Sequence, residues 1–297
     1  MSADASRQSG HSAHAEGSEA QRARGGRASA RDEGPNVARS KGVHVETAGA
    51  GSPLVLIHGF AMHGGVFAPL VPALARRHRV HVVDLPGHGG SAPVDPYDLA
   101  ALADALDRVT GDEREPLSLL GWSLGGMVAL EFARTRPARV RSLALVATTP
   151  SFVARPDWPH AIAPATLARF ADELRVAYRA TLLRFLTLQV QGSDEGRRTL
   201  GALRERLFAG GDPDPRQLDA ALRLLRDADL RSSLSSVRAP ALVIGGARDA
   251  LVPLAATKAL ATALPHATHR TIDGAAHAPF LSHPAAFAAA LEGFGDG

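Results

Sequence analysis

Leu119-Leu120-Gly121-Trp122-Ser123-Leu124-Gly125-Gly126 stands where two local patterns meet. Upstream, Leu117–Leu120 is a short apolar run, as expected of a strand buried on both faces. Downstream, residues 124–134 read as a helix. A Gly-x-Ser-x-Gly at a strand-to-helix junction is the pattern of a nucleophile elbow, in which a strained turn points the serine hydroxyl out of the sheet. Gly121 and Gly125 leave room where side chains would collide across that turn, and Gly126 lets the helix approach the sheet. The Leu124 amide, at the start of the helix, faces any oxyanion formed at Ser123.

The same alternation extends outward in both directions. Val43–Val45 reads as an edge strand, and Leu54–Ile57, Val80–Asp84, Leu143–Val146, Leu242–Ile244 and His269–Ile272 read as further strands. Helical stretches fall at about 65–75, 97–109, 254–263 and 284–293. Parallel strands need crossovers of about this length, so the expected class is α/β, a mostly parallel sheet with helices on both faces. Residues 151–238 break the alternation. They contain no strand-like run and read as helices near 164–190, 194–209 and 215–227, a helical cap inserted above the strand ends.

A serine hydroxyl needs a base, and the base needs an orienting carboxylate. On an elbow of this kind the partners follow in the order acid, then histidine. Asp249 lies in the loop after the strand at 242–244, and His277 in the loop after 269–272. Both fall past strand carboxyl ends, where loops gather over an open α/β sheet. Asp249 as a helix cap, and His78, His81, His88 or His283 as the base, fit that order less well. A second oxyanion donor is expected from the Phe60 amide in Ile57-His58-Gly59-Phe60, with His58 as a structural histidine of that loop.

Composition removes other classes. The 297 residues include no cysteine, which excludes disulfides, cysteine-ligated zinc and a cysteine nucleophile. The net charge is only +3, aromatics are 5%, and Arg is scattered among acids, so a nucleic-acid partner is not expected. No apolar run reaches the roughly 18 residues of a membrane span. Metal and organic cofactors are not expected either, since HExxH, a P-loop and a Rossmann fingerprint are all absent. Residues 1–40 have Met1 and Val37 as their only large apolar side chains, and read as a disordered leader without a secretory h-region. Residues 41–297 are then the folded α/β domain, expected to be cytoplasmic, with a monomer favoured although no sequence feature fixes the oligomeric state.

Taken together, HGF at 58–60, DLPGHGGS at 84–91, GWSLGG at 121–126, RDALVP at 248–253 and HAPF at 277–280 resemble the α/β-hydrolase superfamily over residues 43–297. Within it the chain resembles the pimeloyl-[acyl-carrier protein] methyl ester esterases of biotin synthesis. That resemblance is carried by Trp122, by Ala147–Phe152 leading to Asp157-Trp158-Pro159, by Arg184–Gln189 and by Gly274–Pro284. It implies a serine carboxylesterase that removes methanol from a pimeloyl chain on acyl-carrier protein. It implies the triad Ser123, Asp249 and His277, oxyanion amides at Phe60 and Leu124, and a substrate channel lined by Phe185, Leu186, Thr187, Leu188 and Gln189. Phe60 stands where that family often has Trp, a change that spares a backbone donor but alters the pocket. The leader is also atypical.

The cap carries 14 Arg and 11 acids. Arg175, Arg179, Arg184, Arg197, Arg198 and Arg204 suit a positive face for an acidic carrier protein, or simply a solvated helix surface. Two alternatives stand beside the methyl ester reading: a generic short-chain carboxylesterase, thioesterase or carbon–carbon bond hydrolase, and a non-catalytic binding protein on the same fold. An aspartate-nucleophile dehalogenase or epoxide hydrolase is disfavoured by the serine at 123.

Overall fold

The computed structural model describes residues 36–40, 42–209 and 211–295. Eight strands form one sheet: β1 (Asn36–Ser40), β2 (Val43–Ala48), β3 (Ser52–Ile57), β4 (His78–Val83), β5 (Leu117–Trp122), β6 (Val140–Val146), β7 (Ala241–Gly246) and β8 (Ala267–Ile272). Their order is β1-β2-β4-β3-β5-β6-β7-β8; the pairs β1–β2 and β2–β4 are antiparallel, and all neighbours from β4 to β8 are parallel. The expected α/β class and mostly parallel sheet are therefore observed. β5 is buried along its whole length, as expected of a central strand in a parallel sheet.

The sheet reaches further toward the amino terminus than expected from side-chain polarity. Residues 36–40, read there as the end of a disordered leader, pair with β2 in register from Asn36 opposite Thr47 to Ser40 opposite Val43. A short polar segment can extend an edge through backbone hydrogen bonds alone, so low apolar content does not forbid it. The rest of the expected leader, residues 1–35, lies outside the described residues.

Helices α1 (Val71–Leu74), α2 (Leu99–Val109), α3 (Leu124–Thr135), α4 (Pro164–Val190), α5 (Gly196–Leu207), α6 (Pro215–Asp227), α7 (Leu254–Ala263), α8 (Pro279–Ser282) and α9 (Pro284–Ala290) complete the described helical structure, with short 3-10 turns between some of them. The stretch read as one helix at 65–75 is a 3-10 turn at Gly64–Phe67 followed by α1. Helices α4, α5 and α6 fall between β6 and β7, in the segment expected to be a cap. Helix α4 breaks at Ala177 (φ −146°, ψ 61°), so it is two arms rather than one rod.

Two features of the topology position the site. From β3 the chain moves outward one way to β4, whereas β5 to β8 are laid down on the other side of β3. The gap between β3 and β5 is thus a topological switch point, where the loops after the two strands diverge. The parallel registers also align the strand ends, with Ile57 opposite Gly121, Trp122 opposite Val146, and Gly246 opposite Ile272.

Candidate active site

Ser123 is the first residue past β5 and the N-cap of α3, with φ 56° and ψ −118°. A β-carbon is strained in that conformation, and the fold holds it from both sides. The Ser123 amide donates to Val146 O at 2.9 Å, and its carbonyl accepts from Gly126 N at 2.9 Å and from Thr148 Oγ1 at 2.7 Å. Gly125 is required by close approach, since a β-carbon there would lie 2.2 Å from Ile57 O. That contact seats the elbow directly on the end of β3.

The loops after β7 and β8 bring the other two side chains to the hydroxyl. Ser123 Oγ donates to His277 Nε2 at 3.0 Å. His277 Nδ1–H donates to Asp249 Oδ2 at 2.8 Å. The other carboxylate oxygen accepts from Leu251 N at 2.8 Å and Val252 N at 2.9 Å, which fixes its rotation. All three residues are buried, with Ser123 only 6% exposed. The arrangement sets a hydroxyl against an imidazole that is oriented by a desolvated carboxylate, as an activated nucleophile needs.

His277 is held through its backbone as well. Its carbonyl accepts from Trp122 Nε1 at 2.8 Å, and its amide donates to Gln189 O at 3.0 Å. The first bond ties the base loop to the elbow and the second ties it to the carboxyl-terminal arm of α4. Neither bond has a signal along the chain, because one uses a side chain chosen by packing and the other a backbone carbonyl.

The Leu124 and Phe60 amides, the expected oxyanion donors, have no acceptor among the described residues. Gly59 lies so close to the elbow that a β-carbon on it would be 3.1 Å from Ser123 Cβ. His58 is fully buried and bonded on both ring nitrogens: Nδ1 to Gly59 O at 2.8 Å, and Nε2 to Leu85 N at 2.9 Å. Burial, reinforced by neighbouring His88, holds its pKa down to about 3, so the ring is neutral at ordinary pH. It makes no bond to Ser123, in keeping with a structural role.

In the same loop, Phe60 packs edge-on against Phe185 (5.6 Å between ring centroids) and Phe170 (6.2 Å), which touch each other at 5.3 Å. Phe170 and Phe185 lie on opposite arms of α4. Of the five consecutive residues expected along a channel, Leu186 and Gln189 are buried and Phe185 half-buried, while Thr187 and Leu188 are exposed. A helix turns about 100° per residue, so five in a row cannot share one face. Gln189 Oε1 is buried without a partner among the described residues. A cleft of about 1350 Å³ lies elsewhere, between residues 93–99 and helices α4 and α6, and no triad residue lines it.

The expected positive face is largely neutralised. Arg175 pairs with Asp172 and Asp219, Arg179 with Asp212, Arg184 with Glu173 and Arg198 with Glu195. Arg197 and Arg204 are exposed, and neither has an ion pair among the described residues. They lie seven positions apart on α5, hence on one face. No described helix is long and apolar enough to cross a membrane, and no described group of three or more His, Asp or Glu is placed to hold a metal.

A strained serine at the switch point with a buried His–Asp pair behind it is the site of an α/β hydrolase. The family model for the alpha/beta hydrolase fold matches residues 52–284, and the chain belongs to that family. A crystal structure of bromoperoxidase from Bacillus anthracis superposes with a TM-score of 0.79 at 25% identity, covering 88% of this chain and 100% of that one. The chain is 46% identical over 257 residues to a pimeloyl-[acyl-carrier protein] methyl ester esterase of Xanthomonas oryzae pv. oryzae, covering 85% of this chain and 98% of the relative. An esterase of the same name from Chromobacterium violaceum is 46% identical over 247 residues, covering 83% and 95%. The chain is a carboxylic ester hydrolase and groups with these esterases within the fold.

Proposed function

We propose that the protein hydrolyses the methyl ester of a pimeloyl chain carried on acyl-carrier protein, releasing methanol and pimeloyl-[acyl-carrier protein] for biotin synthesis. The observation that carries the reading is the unbroken contact chain Ser123–His277–Asp249 in a protein 46% identical to esterases of that name.

The mechanism follows from the geometry. His277 Nε2 takes the hydroxyl proton as Ser123 Oγ attacks the ester carbonyl, and Asp249 stabilises the imidazolium. The Phe60 and Leu124 amides receive the negative charge on the carbonyl oxygen; such a donor is typically worth about 3–4 kcal/mol in the transition state. His277 returns the proton to the departing methoxide, so methanol leaves and an acyl-serine remains. Water then attacks the acyl-serine, giving its proton to His277, and the free acid departs as Ser123 regains its hydrogen. The half-buried Phe185, with Leu186 and Gln189, fits the acyl chain. Arg197 and Arg204 offer an unpaired positive stripe for an acidic carrier, acting mainly through encounter steering. Work on a soluble carrier protein fits a cytoplasmic location.

Complementation of a biotin-requiring strain that lacks its own pimeloyl ester esterase tests the reading. The expected result is growth without biotin. Absence of growth from a well-expressed, esterase-active protein would leave a generic short-chain carboxylesterase.

A further inference from the structure

The loop that carries Phe60 combines two opposed demands. Gly59 is tightly placed, since a β-carbon there would be 3.1 Å from Ser123 Cβ and could be taken only if the elbow gave by a few tenths of an ångström. Glycine is also the residue whose flanking peptides rotate most freely. The peptide joining Gly59 to Phe60 carries the Phe60 N–H on one side and the Gly59 carbonyl on the other, in one rigid plane. If that plane turned over, the oxyanion donor would point away from the serine.

His58 grips the other end of the same plane. The Leu85 amide donates to Nε2, which must therefore be the bare nitrogen of a neutral ring. The single ring proton is thereby placed on Nδ1, and it donates to Gly59 O at 2.8 Å. The ring is fully buried, so water does not compete for the bond. Leu85 lies just past β4, so the loop after β4 sets the tautomer, the tautomer sets the donor, and the donor sets the peptide.

We infer that His58 is a positioning residue of the ester hydrolysis, clamping the Gly59–Phe60 peptide so that the Phe60 amide faces the oxyanion. The inference rests on the proposed role of that amide. It differs from a general packing role because only the bond to Gly59 O acts on the peptide, whereas the bond to Leu85 acts on the neighbouring loop.

The two bonds can be separated. In His58→Asn the side-chain NH2 takes the place of Nδ1 and keeps the donor to Gly59 O. In His58→Gln the side-chain oxygen reaches the place of Nε2 and keeps the acceptor for Leu85. His58→Ala keeps neither. Hydrolysis of p-nitrophenyl acetate by the full chain is expected to fall about 100-fold in kcat for the Gln and Ala variants, with KM within about twofold. The Asn variant is expected to stay within about tenfold of the parent. Equal losses in Asn and Gln, or a Gln variant with parental kcat, would overturn the inference. Ser123→Ala, assayed in parallel, separates this from failure of the esterase reading, since that variant must be inactive whether or not His58 matters. Should the variants fail to fold, neutron diffraction of the parent protein decides: a deuteron on Nδ1 of His58 is expected, and one on Nε2 overturns the inference.

Discussion

The Trp122 indole donates to the carbonyl oxygen of His277 at 2.8 Å, joining the residue before the nucleophile to the backbone of the base. The ring also packs edge-on against Phe280 at 5.2 Å, three residues beyond His277. The catalytic contact at 3.0 Å is thus spanned by a second, buried link between the same two loops. Trp122→Phe keeps an aromatic ring but strands the carbonyl, at a cost of about 1–3 kcal/mol. Urea unfolding should record that loss, and kcat for a short ester should fall several-fold as the base loses its anchor. An unchanged kcat would show that the Gln189 and Asp249 bonds suffice to hold His277.

The aromatic trio makes a prediction about chain length. Phe170 meets both Phe60 and Phe185, and it is the member contributed by the amino-terminal arm of α4. Phe170→Ala should open space beside Phe60 and Phe185. Activity on p-nitrophenyl acetate is expected to stay near parental, while the preferred acyl chain among p-nitrophenyl esters moves to longer lengths. An unaltered profile across acetate to laurate would place Phe170 outside the acyl path.

Glycine substitutions separate close approach from ordinary helix. Gly125→Ala would force a β-carbon to 2.2 Å from Ile57 O and should give an unfolded or inactive protein. At Gly201, exposed on α5, an added methyl would meet nothing within 4 Å. Gly201→Ala should raise stability by about 0.4–1 kcal/mol with activity unchanged. A folded, active Gly125→Ala would refute the geometry assigned to the elbow.

Acid should weaken the fold through its buried histidines. Desolvation lowers the pKa of His58 to about 3, and lowers those of His81 and His88 as well. Their folded pKa values lie below the unfolded value near 6.5, so the unfolded chain binds these protons first. The stability they contribute is complete above about pH 6.5 and is lost as the pH falls from there toward the folded values, near 3 for His58. Urea unfolding should give lower stability at pH 5 than at pH 7.5, with a shallower dependence in a folded His58→Asn variant. Equal stability at the two pH values would contradict the assignment of buried neutral rings.

Much of the site could be read along the chain because its constraints are local. The elbow needs glycines at fixed spacing around Ser123, and Asp249 and His277 each follow a short apolar strand, so order and position were visible. What could not be read depends on atoms without a residue-type signature. The Gln189 carbonyl on the His277 amide, the break in α4 at Ala177, and the peptide gripped by His58 are set by three-dimensional placement. The strand at Asn36–Ser40 escaped for the same reason, because edge pairing uses the backbone and leaves little trace in side-chain polarity. The Arg residues of the cap were legible as charges, and so were the local pairs of Arg175 with Asp172 and Arg198 with Glu195, but Asp212 and Asp219, which pair with Arg179 and Arg175, come from distant positions, so only part of the neutralisation could be read.

Release of methanol from methyl pimeloyl-[acyl-carrier protein] by the parent protein and by Ser123→Ala tests the central claim most directly. The parent should turn over repeatedly, with one methanol and one free pimeloyl carboxylate formed per ester consumed. The Ser123→Ala variant should be slower by about 10⁴-fold or more. Methanol release by the variant at a rate near that of the parent would contradict a mechanism built on the Ser123 hydroxyl.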